Sequence, residues 1–121
     1  MRPPADYLAL LAALMGAGGV ALAAASTHAG GGELGRTASE FLVIHAAALL
    51  GVAANARSAA SPRVMRLVAA GAALALGTLL FAGDLSSRAF AGGKLFPFAA
   101  PAGGSLMILA WIALALVFAL P

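Results

Sequence analysis

Four stretches of this chain can each cross a lipid bilayer, and little is left over to build anything else. Tyr7–Ser26, Ala38–Ala56, Val64–Ala82 and Gly103–Leu120 hold 18 to 20 residues apiece with almost no charge. At about 1.5 Å per helical residue each reaches ~27–30 Å, close to the thickness of the hydrocarbon core. Of the 121 residues, 63% are hydrophobic and 9% charged. Soluble domains carry ~25% charged residues, so there are too few here to coat a soluble globule. The short link Ser58–Arg63 forces its flanking helices antiparallel. The expected fold is therefore all-α: a four-helix transmembrane bundle with antiparallel up-down topology, one integral membrane domain over residues 1–121.

The first run exceeds the ~7–15 apolar residues of a secretory signal core. Asp6 and two prolines also stand where a signal would be basic, so this run reads as a retained span. There is no cysteine, hence no disulfide, thiolate metal site or cysteine nucleophile. The pI of about 10.7 does not imply nucleic-acid binding, which needs a clustered basic face. Seven scattered Lys and Arg residues fit topology signals and interface anchors instead.

Local signals set the boundaries. Pro3 and Pro4 suit a helix entry before the first span. Gly30-Gly31-Gly32 reads as a flexible link. Thr37-Ala38-Ser39-Glu40 has the form of a capping box opening the second span. The third helix can run past Ala82 to Ala91, since nothing breaks it before Gly92-Gly93. Lys94–Pro101 is apolar yet broken by two prolines, which suits a stretch lying at the membrane interface with Phe96 and Phe98 turned into lipid or onto the bundle. No repeat of 20–50 residues is present, so an internally duplicated transporter is not indicated.

Four spans place the first terminus, the second link and the last terminus on one side. Arg2, Arg57, Arg63 and Arg66 lie there with one acid, Asp6. The other side has Arg36, Arg88 and Lys94 against Glu33, Glu40 and Asp84. The positive-inside rule then puts both termini in the cytoplasm, with Arg57, Arg63 and Arg66 as the topology signal. Small residues spaced by four give each span a face for close packing: Ala9, Ala13 and Ala17 beside Gly16; Ala47 and Gly51; Ala69, Ala73 and Gly77. These faces serve either tight intramolecular packing or a homodimer seam.

His45 lies ~10 Å into the second span, and an ionisable group inside a membrane is a functional candidate by default. The plain alternative is a neutral imidazole bonded to a neighbouring helix. Glu40 is ~140° around the helix from His45 and does not face it. His28 either caps the carbonyls ending the first span or joins His45, although their depths differ by ~10 Å, too much for paired axial haem ligands. Asp84 and Arg88 have the i,i+4 spacing of a helix-end ion pair. Alternatively they form the mouth of an outer polar pocket with Glu40 and His28. Trp111 lies mid-span, away from the usual aromatic belts, where it packs on another helix or on lipid. No nucleophile elbow, P-loop, dinucleotide fingerprint or zinc-protease motif is present. No enzymatic activity, metal or cofactor is expected.

Three stretches resemble the small four-span membrane proteins of domain-of-unknown-function family 423. Gly19-Val20-Ala21-Leu22 with Thr27-His28-Ala29 is similar to that family's first-span ending. Phe41-Leu42-Val43-Ile44-His45-Ala46 resembles its second-span motif, an aromatic ahead of a His-Ala pair. Phe81-Ala82-Gly83-Asp84, Leu95–Gly104 and Trp111 resemble its third link and fourth span. The resemblance implies a bacterial inner-membrane or mitochondrial-type protein and no reaction. It directs attention to His28, His45 and Asp84 without assigning them a role.

The expected function is that of a structural or accessory subunit, in contact with membrane lipid and acting through helix packing in a homo-oligomer or larger membrane complex. The alternative is a small oligomeric transporter or channel with an outer vestibule around His28, His45 and Asp84. A lipid-active enzyme or cofactor carrier built on the outer polar cluster is a third, weaker alternative.

Overall fold

A computed structural model describes all residues, 1–121, as four helices: α1 (Pro4–His28), α2 (Gly32–Arg57), α3 (Ser61–Ala91) and α4 (Ala99–Ala119). All four are long and apolar enough to cross a membrane, and the chain is a multi-pass membrane protein. Consecutive helices run antiparallel. Asp6 at the start of α1 pairs with Arg57 at the end of α2, with Oδ1 accepting from Nε at 2.9 Å. Arg63 near the start of α3 lies over the ring of Phe118 near the end of α4.

The helices outrun the apolar stretches, and in two places they overturn the expected boundaries. α2 begins at Gly32, so Thr37 and Glu40 sit inside the helix and form no capping box. Ser39 instead donates its hydroxyl to the Arg36 carbonyl at 2.9 Å. The flexible link is in fact a tight turn. The Ala29 N–H closes α1 onto the Ala25 carbonyl at 2.7 Å, and Gly30 and Gly32 take φ of 84° and 60° to reverse the chain. Gly31 and Gly35 make room there for Ser26 and Phe90. α4 begins at Ala99, with Pro101 in its first turn. A missing N–H is harmless there because that turn has no carbonyl to bond. Phe98, at the cap position, sits in the left-handed region with φ 67°. At the far end of α3, Gly92 takes φ 80° just past Ala91, as a helix-terminating glycine does.

Helix α2 packs between α1 and α3, and the backbone of α4 approaches that of α3 alone. No Cα of α4 comes within 8 Å of one in α1 or α2. The core is mostly α2 and α3, where Leu49, Leu67 and Leu74 are fully buried. α1 contributes Leu8, Ala12 and Met15, and α4 contributes Met107, Ala110 and Leu114. Lipid is as apolar as these side chains, so burial alone drives little association, and close backbone approach has to supply it.

That approach is closest where α3 crosses α4. A Cβ on Gly77 would stand 2.8 Å from the Gly103 carbonyl oxygen and 2.9 Å from the Met107 nitrogen. A Cβ on Gly103 would stand 2.6 Å from the Phe81 nitrogen and 2.7 Å from the Gly77 oxygen. Backbone faces backbone on both sides, so neither can yield. The other two glycines singled out for packing behave differently. A Cβ on Gly16 meets only the Ala46 Cβ at 3.6 Å, an ordinary contact, and one on Gly51 meets nothing within 4 Å. The face of α1 carrying Ala13 and Ala17 is also turned outward, and Leu8, Ala12, Met15 and Gly19 point in. The branched end of Leu8 fills the space that Gly71 leaves open on α3, which sets the rotation of α1.

Replacing Gly77 with Leu should lower the thermal midpoint in mild detergent, by the equivalent of about 1–3 kcal/mol or more, as overpacking does. Gly51→Ala should raise stability by up to about 1 kcal/mol, since alanine favours helix and meets no obstacle. Equal midpoints for the Gly77→Leu and unaltered proteins would contradict the α3–α4 contact.

Candidate functional site

Most polar side chains of the helices bond to carbonyls of their own helix, and two buried groups instead join distant parts of the chain. One of these is His45 on α2, 6% exposed. Its Nδ1 lies 2.8 Å from the Phe41 carbonyl, and its Nε2 lies 3.2 Å from Trp111 Nε1 on α4. A carbonyl only accepts and an indole only donates. The imidazole is therefore neutral, with its proton on Nδ1, and Trp111 donates to Nε2. Both ring nitrogens thus have a partner. Around this bond the rings of Phe81, Phe41, His45 and Trp111 form a column. Phe41 and Phe81 centroids are 4.6 Å apart, Phe41 stacks on His45 at 5.6 Å, and His45 meets Trp111 at 5.9 Å. The clasp joins two helices whose backbones do not approach each other.

It also divides the cleft between α2 and α4 into two grooves. One, of about 380 Å³, lies between the clasp and the α4 N-terminal end, with Phe81 and Gly104 on its walls. The other, of about 410 Å³, runs from Trp111 along Ala48, Gly51, Leu114, Asn55 and Phe118 toward the opposite end. A third apolar groove, about 500 Å³, lies between the start of α1 and α3.

Asp84 and Arg88 form a second unit near the end of α3. Asp84 is fully buried. Its Oδ1 accepts from the Leu95 backbone N–H at 2.9 Å, and its Oδ2 lies 2.7 Å from Arg88 Nη2. That ion pair is close but poorly aligned, and Arg88 Nε has no partner. The carboxylate thus ties the segment after α3 back onto the helix. Ser87 adds a 2.6 Å hydroxyl bond to the Gly93 carbonyl.

The five residues expected at the outer end do not gather into one site. His28 and Glu40 are exposed and make no side-chain bond, Asp84 pairs with Arg88, and His45 turns to Trp111. No groove is lined by more than one of the five, and no three His, Asp or Glu side chains converge. Of the topology arginines, Arg57 is paired with Asp6, Arg63 covers Phe118, and Arg66 is exposed. Sequence reasoning missed the partnership of Trp111 with His45, 66 positions away. The one available signal was a mid-span tryptophan whose N–H needs an acceptor.

Removing one partner leaves the other unsatisfied in an apolar setting. His45→Phe and Trp111→Phe should each destabilise the bundle by about 0.5–2 kcal/mol, with a coupling near 0.6 kcal/mol in a double-mutant cycle, as interhelical bonds in membranes give. In His45→Phe the tryptophan emission should shift. Strict additivity of the two substitutions would contradict the clasp.

No solved structure matches the chain. A family model described as "Protein of unknown function (DUF423)" matches residues 15–104. Most of the chain, His45 and the Gly77–Gly103 crossing included but not Trp111, falls within that match, and the chain belongs to the DUF423 family.

Proposed function

We propose that this protein is a non-enzymatic accessory subunit of the bacterial inner membrane, with both termini in the cytoplasm, that works by packing against partner spans. The observation that carries the reading is the outward face of α1. Ala13, Ala17, Val20 and Ala24 are all exposed and recur at i, i+4, i+7 and i+11, a single stripe on one side of the helix. Alanines in such a stripe let a second helix approach closely, which is what drives association in lipid. The stripe lies roughly opposite the buried Leu8, Ala12, Met15 and Gly19, so a partner can dock without disturbing the bundle. The engagement of His45, Asp84 and Arg88 in internal bonds also favours a packing role over solute passage. The cytoplasmic assignment rests on the arginines gathered at the α2–α3 turn.

Native mass spectrometry after gentle solubilisation should return the chain with a second subunit, either another protein or a second copy. Ala17→Leu should release that subunit at an unchanged thermal midpoint. Recovery of the bare monomer from wild-type membranes would count against the proposal. Reconstituted vesicles should show no solute flux; movement that depends on His45 or Asp84 would instead favour a transporter.

A further inference from the structure

The groove on the arginine side of the clasp has walls of one chemistry and a mouth of another. Its length is apolar, bounded by Ala48, Gly51, Leu114 and Phe118. Beside the wall residue Phe118, Arg63 holds its guanidinium 5.6 Å from the ring centroid. Arg63 makes no ion pair, nor does the exposed Arg66 one turn along α3, whereas Arg57 nearby is neutralised by Asp6. Asn55, also on the wall, donates to the Gly51 carbonyl at 2.8 Å, leaving its own carbonyl oxygen free. An apolar slot with an uncompensated cation against its last wall residue complements a molecule with a hydrocarbon body and an anionic head.

The dimensions agree with that chemistry. From Phe118 to Trp111 the groove follows seven residues of α4, ~10 Å of helix. Trp111 stands eight residues from the helix end, ~12 Å, near the midplane of a ~30 Å hydrocarbon layer. The groove therefore covers most of the depth of one leaflet and is closed by the clasp where that leaflet ends. A partner helix ~10 Å across would have to continue past the Trp111–His45 bond, which bridges the cleft, whereas an acyl chain can stop there. We infer that this groove binds one anionic phospholipid, an acyl chain lying along α2 and α4 up to Trp111 and the phosphate at Arg63.

Trp111 is the only tryptophan and lines this groove as well as the one beyond the clasp, so Arg63→Gln and Gly51→Phe isolate the contribution of this groove. The full-length protein is reconstituted in phosphatidylcholine vesicles doped with phosphatidylglycerol brominated on its acyl chains. A parallel series contains brominated phosphatidylcholine. Brominated phosphatidylglycerol should quench Trp111 at about fivefold lower mole fraction, the preference expected of one arginine near an anionic headgroup. Arg63→Gln should bring the two curves together. Gly51→Phe introduces a ring where a Cβ meets nothing within 4 Å, so it should reduce quenching by both lipids at a thermal midpoint no lower than that of the unaltered protein. Coincident curves for the wild-type protein, a preference that survives Arg63→Gln, or undiminished quenching in Gly51→Phe each overturns the assignment. Native mass spectrometry of the same variants distinguishes the occupant: loss of a second chain from Gly51→Phe, in place of loss of lipid mass, also overturns it.

Discussion

The arrangement depends on the contact of two glycines. Gly77 and Gly103 bring the backbones of α3 and α4 together with no side chain between them. In water, the apolar faces of four such helices would be driven together whatever their detail. In hydrocarbon that drive is absent, and van der Waals contact at short range takes its place. The place where backbones touch therefore sets where α4 sits. Because that contact is with α3 alone, α4 leans away from α2, and a cleft runs between them along the bundle.

The cleft explains the position of the least expected residues. A tryptophan halfway along a span has an indole N–H that neither water nor headgroups can reach. His45 supplies the acceptor, and it can do so only while neutral with its other nitrogen donating, which the Phe41 carbonyl permits. The histidine that looked most like a reactive group in the sequence thereby joins α2 to α4. Asp84 follows the same logic at the end of α3: a buried carboxylate is tolerable when an arginine and a backbone N–H face it, and both are present.

Helix number, all-α class and membrane character were legible in the sequence because each depends on the length and polarity of one stretch. The reach of α3 to Ala91 and the Asp84–Arg88 pair were legible for the same reason, being local spacings. What could not be read was rotation about each helix axis. In a soluble bundle the polar face reveals which side looks inward; α1 and α4 are apolar on every side, so their inward and lipid-facing residues look alike. Gly51 and Gly77 illustrate this, with the same residue type and the same small-residue spacing, one facing an open groove and the other a backbone. The start of α2 was misplaced on different grounds. Glycines read as flexible can also close a turn in three residues when two adopt positive φ, as Gly30 and Gly32 do, and the helix then begins before any capping signal.

The clasp and the cleft account for each other. If α4 packed against α2 as closely as it packs against α3, there would be no room for an indole between them, and His45 would need another partner. If the indole were absent, the histidine would keep its bond to Phe41 and leave Nε2 empty in hydrocarbon. The long aromatic side chain spans the gap that the glycine crossing creates and satisfies the one buried nitrogen facing it. The cleft is thus bridged by a bond, and the residues that line the grooves beside Trp111, like Arg63, all lie on helices and not on loops. They are set by the three helices α2, α3 and α4, through one backbone contact and one side-chain bond.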